Sequence, residues 1–274
     1  MNLSNNTQRV LVAAAAIPLI LAASYFGSIY FMLLILIIAF VSFFEFHSMV
    51  KNKGMMTNIF FGFAGIAFLV INQSHYFFDF YSFTLLFIVF LTGAELFRKK
   101  GSAIYNISAT LLGTIYLGLL AGALISIREF YPKIGELYLR GGYLIITLLA
   151  SIWICDTAAF YGGRKFGKHK LFLRVSPNKS WEGAIFGFFF AIITSILAKI
   201  LFLHFISFET ALAIGFIVGT VGQIGDLIES LLKRDSGIKD SSKLIPGHGG
   251  VFDRFDSLLY SAPVILLYLK YLGR

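Results

Sequence analysis

Charge is what this chain has least of. Of its 274 residues only 14% are charged while 58% are apolar, and the mean hydropathy is +0.81. A soluble domain carries about a quarter charged residues. Too few are present to build a water-facing shell, so most of the chain must take lipid as its solvent. Acid is scarcer than base, with 14 Asp and Glu against 23 Lys and Arg and a net charge of +9. The basic residues lie between apolar runs rather than in one stripe, which makes them orientation signals and headgroup contacts. Nucleic acid is therefore not expected as a partner. The single cysteine, Cys155, cannot form an internal disulfide and reads as packing inside an apolar run. No internal repeat, low-complexity tract or Pro-rich linker divides the chain, so one membrane domain is expected. Also missing are a Gly-x-x-x-x-Gly-Lys-Ser/Thr phosphate loop, a His-Glu-x-x-His zinc helix and a Gly-x-Ser-x-Gly elbow.

What is abundant is apolar sequence, including 31 Phe, for which a lipid-facing surface is a natural use. A bilayer core about 30 Å thick needs roughly 20 apolar residues per helix. The runs predict an all-α polytopic bundle of about nine spans, at 9–26, 29–45, 58–72, 77–93, 103–127, 142–162, 183–204, 210–232 and 257–271. The fifth is a candidate for a kink at Gly113, Gly118 and Gly122. The first, following Arg9, is read as an uncleaved span rather than a signal peptide. Five spans fall in an amino-terminal part, 1–140. The rest form a carboxy-terminal part, 141–274, with polar segments at 163–182 and 233–256. Placing the amino terminus inside puts 17 of the 23 Lys and Arg on the inner side, as the positive-inside rule requires. Both polar segments then face the cytoplasm, where nucleotides are found.

A carboxylate inside a span is costly and marks a functional candidate. Asp156 qualifies in the sixth span and Asp226 in the eighth. At about 1.5 Å per residue, Asp226 sits about 9 Å inside Leu232 and Asp156 about 12 Å before Arg164. Gly219, Gly222, Gln223, Asp226, Glu229, Ser230 and Lys233 recur at helical spacing, forming one polar, small-residue face. Helix packing accounts for the glycines of such a face, but not for Asp226.

The segment that follows concentrates chemistry. Asp235, Asp240, Asp253 and Asp256 are carboxylates of the kind that ligate Mg²⁺. Lys233, Arg234, Lys239, Lys243 and Arg254 complement phosphates. Gly247, Gly249 and Gly250, flanking His248, let backbone N–H groups approach an anion. In the earlier segment, Ser176-Pro-Asn-Lys-Ser180 reads as a proline-set turn presenting Lys179 and two hydroxyls. His169 lacks a partner pattern and is read as solvated. Carboxylates, cations and glycines without a nucleophile suit direct phosphoryl-type transfer.

The stretch Ser230-x-x-Lys233-Arg234-(x)4-Lys239-Asp240-(x)5-Pro246-x-His248-Gly249-Gly250-x-x-Asp253-Arg254-x-Asp256 resembles the signature of the phosphatidate cytidylyltransferases, the CDP-diacylglycerol synthases. Asp156-Thr-Ala-Ala-Phe-Tyr-Gly-Gly and Ser176-Pro-Asn-Lys-Ser-Trp-Glu-Gly look like further pieces of that family, in the same order. Asn178 departs from it, since members often carry a second basic residue there. The resemblance covers 150–263.

It implies transfer of a cytidylyl group from CTP to phosphatidate in the inner leaflet, with Mg²⁺ (one or two ions) as cofactor and Asp226 with Asp253 as the metal pair. Lys233, Arg254 and Asp256 are then expected to act in catalysis. Substrate contacts are expected from Asp156, Lys179, Ser180, Arg234, Lys239, Asp240, His248, Gly249 and Gly250. The setting expected is a multi-pass protein of the cell membrane, a bacterial inner membrane, with its site facing the cytoplasm. Oligomeric state is open, and a homodimer is compatible with the sequence. A CTP-dependent lipid or polyprenol kinase and a cation-coupled transporter are the alternatives; the latter would place its site at the midplane, between repeats.

Overall fold

The structure is a computed structural model that describes residues 5–247 and 249–273. His248, one of the expected site residues, lies outside the described residues. The helices are α1 (Asn5–Phe26), α2 (Ser28–Lys51), α3 (Ile59–Ser74), α4 (Phe80–Leu96), α5 (Ala103–Arg128) and α6 (Gly135–Phe166). A two-stranded hairpin, β1 (Lys170–Phe172) and β2 (Ser176–Ser180), precedes α7 (Trp181–Leu201). Then come α8 (Phe208–Ile217), a π-turn at Val218–Gly222, α9 (Gln223–Asp235) and α10 (Phe252–Tyr271). Among the described residues six helical segments are long and apolar enough to cross a membrane, and α3 and α4 are shorter apolar helices. α8, the π-turn and α9 make one such segment, Phe208–Asp235. The result is an all-α membrane bundle.

Several of the apolar helices have a start set by local chemistry. Asn58, Asp79, Ser180 and Ser207 accept N–H groups from the first turns of α3, α4, α7 and α8, meeting donors that have no intrahelical acceptor. Gly27, at φ 67°, separates α1 from α2, a conformation only glycine adopts without strain. α5 runs unbroken through the three glycines where a kink was a candidate. They serve close packing instead: a Cβ at Gly113 would lie 2.7 Å from the Phe46 ring, and one at Gly118 2.6 Å from Leu69. α6 begins seven residues before the expected start, and in that added stretch Arg140 lies over the rings of Tyr131 and Phe205.

The core joins α2, α3, α5, α6 and α10. Phe43, Phe46 and Phe252 are buried in it, whereas Phe60, Phe90 and Phe189 point outward with other large apolar side chains. Phenylalanine thus serves both the core and the outer surface, which is ordinary for a bundle whose solvent is hydrocarbon.

Specific bonds gather the polar connections at one end. Arg9 Nε donates to the Gly247 carbonyl at 2.6 Å, and Lys53 pairs with Asp235 at 3.1 Å. Arg98 Nη1 donates to the Met56 carbonyl at 2.9 Å, and Arg234 Nε to the Val175 carbonyl at 3.3 Å. At the opposite end the buried Arg128 guanidinium donates to the carbonyls of Ser24, Tyr25 and Tyr138. It joins the ends of α1 and α5 to the start of α6.

Candidate functional site

The site forms at the end where those polar connections meet. α9 contributes Asp226, Glu229 and Lys233, which follow one another by three and four residues and therefore share a helix face. The preceding π-turn and the glycines of this face let neighbouring helices close in. A Cβ at Gly222 would lie 2.9 Å from Ser261 on α10, and one at Gly219 2.9 Å from Phe188 on α7. The packing explanation of the glycines holds, and the resulting proximity brings α10 against Asp226.

Ligand oxygens of Asp226, Glu229 and Asp256 lie within 4.8 Å of one another. Glu229 is 0% exposed. Its Oε2 is paired with Lys233 Nζ at 2.7 Å, while its Oε1 has no hydrogen-bond partner among the described residues. A buried carboxylate oxygen without a donor is costly, and a cation bound by the cluster would answer it. The all-oxygen donor set fits a hard divalent ion, so the residues present fit a metal.

Asp253, in the first turn of α10, is placed differently. Its Oδ1 accepts from Lys233 Nζ at 2.7 Å, and its Oδ2 from the Gly250 and Ser241 N–H groups at 2.9 and 3.1 Å. Lys233 therefore bridges Glu229 and Asp253. Asp256 is buried and accepts the Ser257 N–H at 2.5 Å. Asp156 stands at an exposed position on α6 and is not among the clustered oxygens. Four carboxylates (Asp226, Glu229, Asp253 and Asp256) thus face two cations, Lys179 and Lys233, in this region. The imbalance favours binding of further positive charge.

Lys179 arrives from the hairpin. β1 and β2 pair antiparallel, with Lys170 opposite Ser180 and Phe172 opposite Ser176, so the expected proline-set turn is instead a strand. Side chains alternate along it, separating Lys179 from Ser180. Lys179 Nζ pairs with Asp226 Oδ2, while the Ser180 hydroxyl accepts the Gly183 N–H at 3.2 Å as the cap of α7. Glu182 braces the hairpin by accepting from the Lys168 and His169 N–H groups and pairing with His169 Nδ1 at 2.7 Å. His169 is solvated, as expected, and has in addition this partner, which the sequence pattern did not indicate.

The remaining expected residues divide. Arg234 faces backbone, donating to the Val175 and Ile238 carbonyls. Lys239 and Asp240 are exposed on the loop. Gly249, at φ 84°, and Gly250 do make room for anions, but the nearest are protein carboxylates. A Cβ at Gly249 would lie 2.9 Å from Asp253 Oδ2, and one at Gly250 2.7 Å from both oxygens of Glu45. Cys155, buried where α6 meets Gly187 of α7, is packing as expected.

Two residues escaped the site list drawn from sequence. Glu229 was visible as part of the polar face, and its position three after Asp226 and four before Lys233 was the available signal. Glu45 stands in Phe43-Phe-Glu-Phe46, a carboxylate inside an apolar run. The cost argument that selected Asp156 and Asp226 applies equally to it.

Comparison with known proteins places the sequence beside a family of enzymes. The sequence pattern of the Cytidylyltransferase family matches residues 7–272. The chain is similar to the phosphatidate cytidylyltransferase of Haemophilus influenzae, with 45% identity over 133 residues, 45% of this chain and 44% of that protein. The enzyme of that name in Staphylococcus saprophyticus is 39% identical over 148 residues, 51% of this chain and 55% of the relative. These two matches span about half the length of the curated relatives. The one from Synechocystis is 30% identical over 286 aligned residues and covers 96% of both chains. With a family pattern running nearly end to end and a relative aligned over almost its whole length, the chain belongs to the cytidylyltransferase family.

Proposed function

We propose that this chain transfers the cytidylyl group of CTP to phosphatidate, giving CDP-diacylglycerol and pyrophosphate. The observation that carries the reading is the cluster of Asp226, Glu229 and Asp256, flanked by Lys179 and Lys233, at one end of a membrane bundle. A phosphate oxygen of the lipid attacks the α-phosphorus of CTP. The bond from that phosphorus to the bridging oxygen breaks, and pyrophosphate leaves. A phosphate monoester is nucleophilic near neutral pH, so no general base is required.

Lys179, Lys233, Lys239 and Arg254 bind the phosphates and offset charge that develops during transfer. Arg234 braces the hairpin that carries Lys179, and Asp156 completes the polar wall on α6. Asp226 and Asp253 are the proposed metal pair, with Glu229 and Asp256 completing the oxygen set for one or two Mg²⁺ ions. Bound there, the metal would neutralise triphosphate charge and orient the reacting oxygens.

The lipid enters sideways from the inner leaflet, its acyl chains remaining among the apolar helices. On our reading the chain has nine spans with its amino terminus inside, and the site then faces the cytoplasm at a bacterial inner membrane. The Lys and Arg bias supports this orientation, as does the Arg9 contact with Gly247 beside the site.

The test is purified chain in lipid discs with phosphatidate and CTP labelled at the α-phosphate. Label entering lipid with release of pyrophosphate is the expected result. Release of CDP would mean a kinase, and no turnover would favour transport. Asp226→Asn and Asp253→Asn should each lower the rate at least about 100-fold, the scale of losing one preorganised electrostatic partner. Full activity in both would sink the metal assignment.

A further inference from the structure

Glu45 lies six residues before the end of α2, about 9 Å along the helix at 1.5 Å per residue, and only 2% of it is exposed. A carboxylate in such a place needs donors, and among the described residues four reach it, all from the distant segment 241–252. Oε1 accepts from the Ser242 hydroxyl at 2.5 Å and the Val251 N–H at 2.9 Å. Oε2 accepts from the Ser241 hydroxyl at 2.9 Å and the Phe252 N–H at 2.8 Å.

Val251 and Phe252 are the cap position and first residue of α10, and Val251 makes no side-chain cap bond of its own. Their N–H groups have no intrahelical acceptor, and a negative charge beside them is favourable. Glu45 supplies from α2 the capping anion that the local sequence of α10 lacks. The next residue, Asp253, grips the same loop from the other side through the Ser241 and Gly250 N–H groups. The loop is closed between two carboxylates, and a side chain at Gly250 would collide with the first of them.

We propose that Glu45 is a positioning residue of the reaction centre. It fixes where α10 begins, and so where Asp253 meets Lys233 and Asp256 meets Asp226. This rests on the reading of the acid cluster as the reaction centre, and it makes α2 part of the catalytic assembly although it contributes no group that touches substrate. Gln in place of Glu45 would turn an NH₂ donor toward other donors. Asp would keep both acceptors but sit one methylene too far back.

The full chain in lipid discs allows the test, with hydrogen exchange across 250–256 and steady-state kinetics read side by side. In Glu45→Gln the Val251 and Phe252 amides should exchange at least about tenfold faster. The kcat should fall about 10- to 100-fold, the cost of a misplacement near 1 Å, with KM for phosphatidate unchanged. Glu45→Asp should recover part of both. If Glu45→Gln does not accumulate, Ser241→Ala with Ser242→Ala removes two donors without touching α2 and should move both readouts the same way. Unchanged exchange, or faster exchange with undiminished kcat, overturns the proposal. If the unaltered chain makes no CDP-diacylglycerol, the functional reading fails by itself, and exchange still decides whether Glu45 holds α10.

Discussion

Lys233 Nζ donates to Asp253 Oδ1 at 2.7 Å, and that bond joins the end of α9 to the first turn of α10. The same ammonium lies 2.7 Å from Glu229 Oε2. One cation thus holds two carboxylates from two helices, and the remaining negative charge lies toward Asp226 and Asp256.

Glu229→Gln keeps the shape of a fully buried side chain while removing one negative charge from the cluster. The divalent-ion concentration giving half-maximal activity should rise about tenfold, as expected when one group of a metal's surroundings is neutralised. Titration with Mg²⁺, and independently of turnover with Mn²⁺ followed by its paramagnetic signal, checks this. Unchanged affinity in both titrations would remove Glu229 from the metal's surroundings.

Ser180 was expected to touch substrate, yet its hydroxyl caps α7. Ser180→Ala should therefore cost about 1 kcal/mol of stability, the usual scale of a lost cap. KM for CTP and for phosphatidate should stay where they are. Thermal unfolding in discs alongside substrate saturation curves separates the two roles, because a substrate contact would raise KM at constant stability.

Arg128 is 1% exposed and satisfies three carbonyls, those of Ser24, Tyr25 and Tyr138. Arg128→Leu strips all three of a donor, and a buried acceptor left unsatisfied costs about 1–3 kcal/mol. A loss of at least about 3 kcal/mol should appear as a lower unfolding temperature. Turnover per folded molecule at low temperature should change by less than about twofold, since this residue lies at the opposite end of the bundle from the site. A large loss of turnover with unchanged stability would contradict that reading.

Local pattern alone was enough for much of this protein. Low charge and long apolar runs determined that the chain is a membrane bundle, because hydrocarbon tolerates only backbones that satisfy themselves. The runs located every helix, with boundaries off by several residues where polar residues such as Arg140 extend a helix beyond its apolar part. The stretch from Ser230 to Asp256 determined the family and most of the acids and cations of the site, since those residues are dense and regularly spaced. Of the expected residues, Asp226, Asp256 and Lys179 do come together.

Tertiary structure decided which of those residues face one another. The pairing of Lys179 with Asp226 spans 47 residues, and the bonds from Glu45 to the loop span 196 to 207. No helical or strand period reports contacts across such distances. It also decided that Ser180 caps a helix, that Arg234 holds backbone carbonyls, and that Glu229 belongs with Asp226. The physical reason is the same in each case. A charge inside a membrane protein must find a partner, and only the packing of the helices determines which partner is within reach.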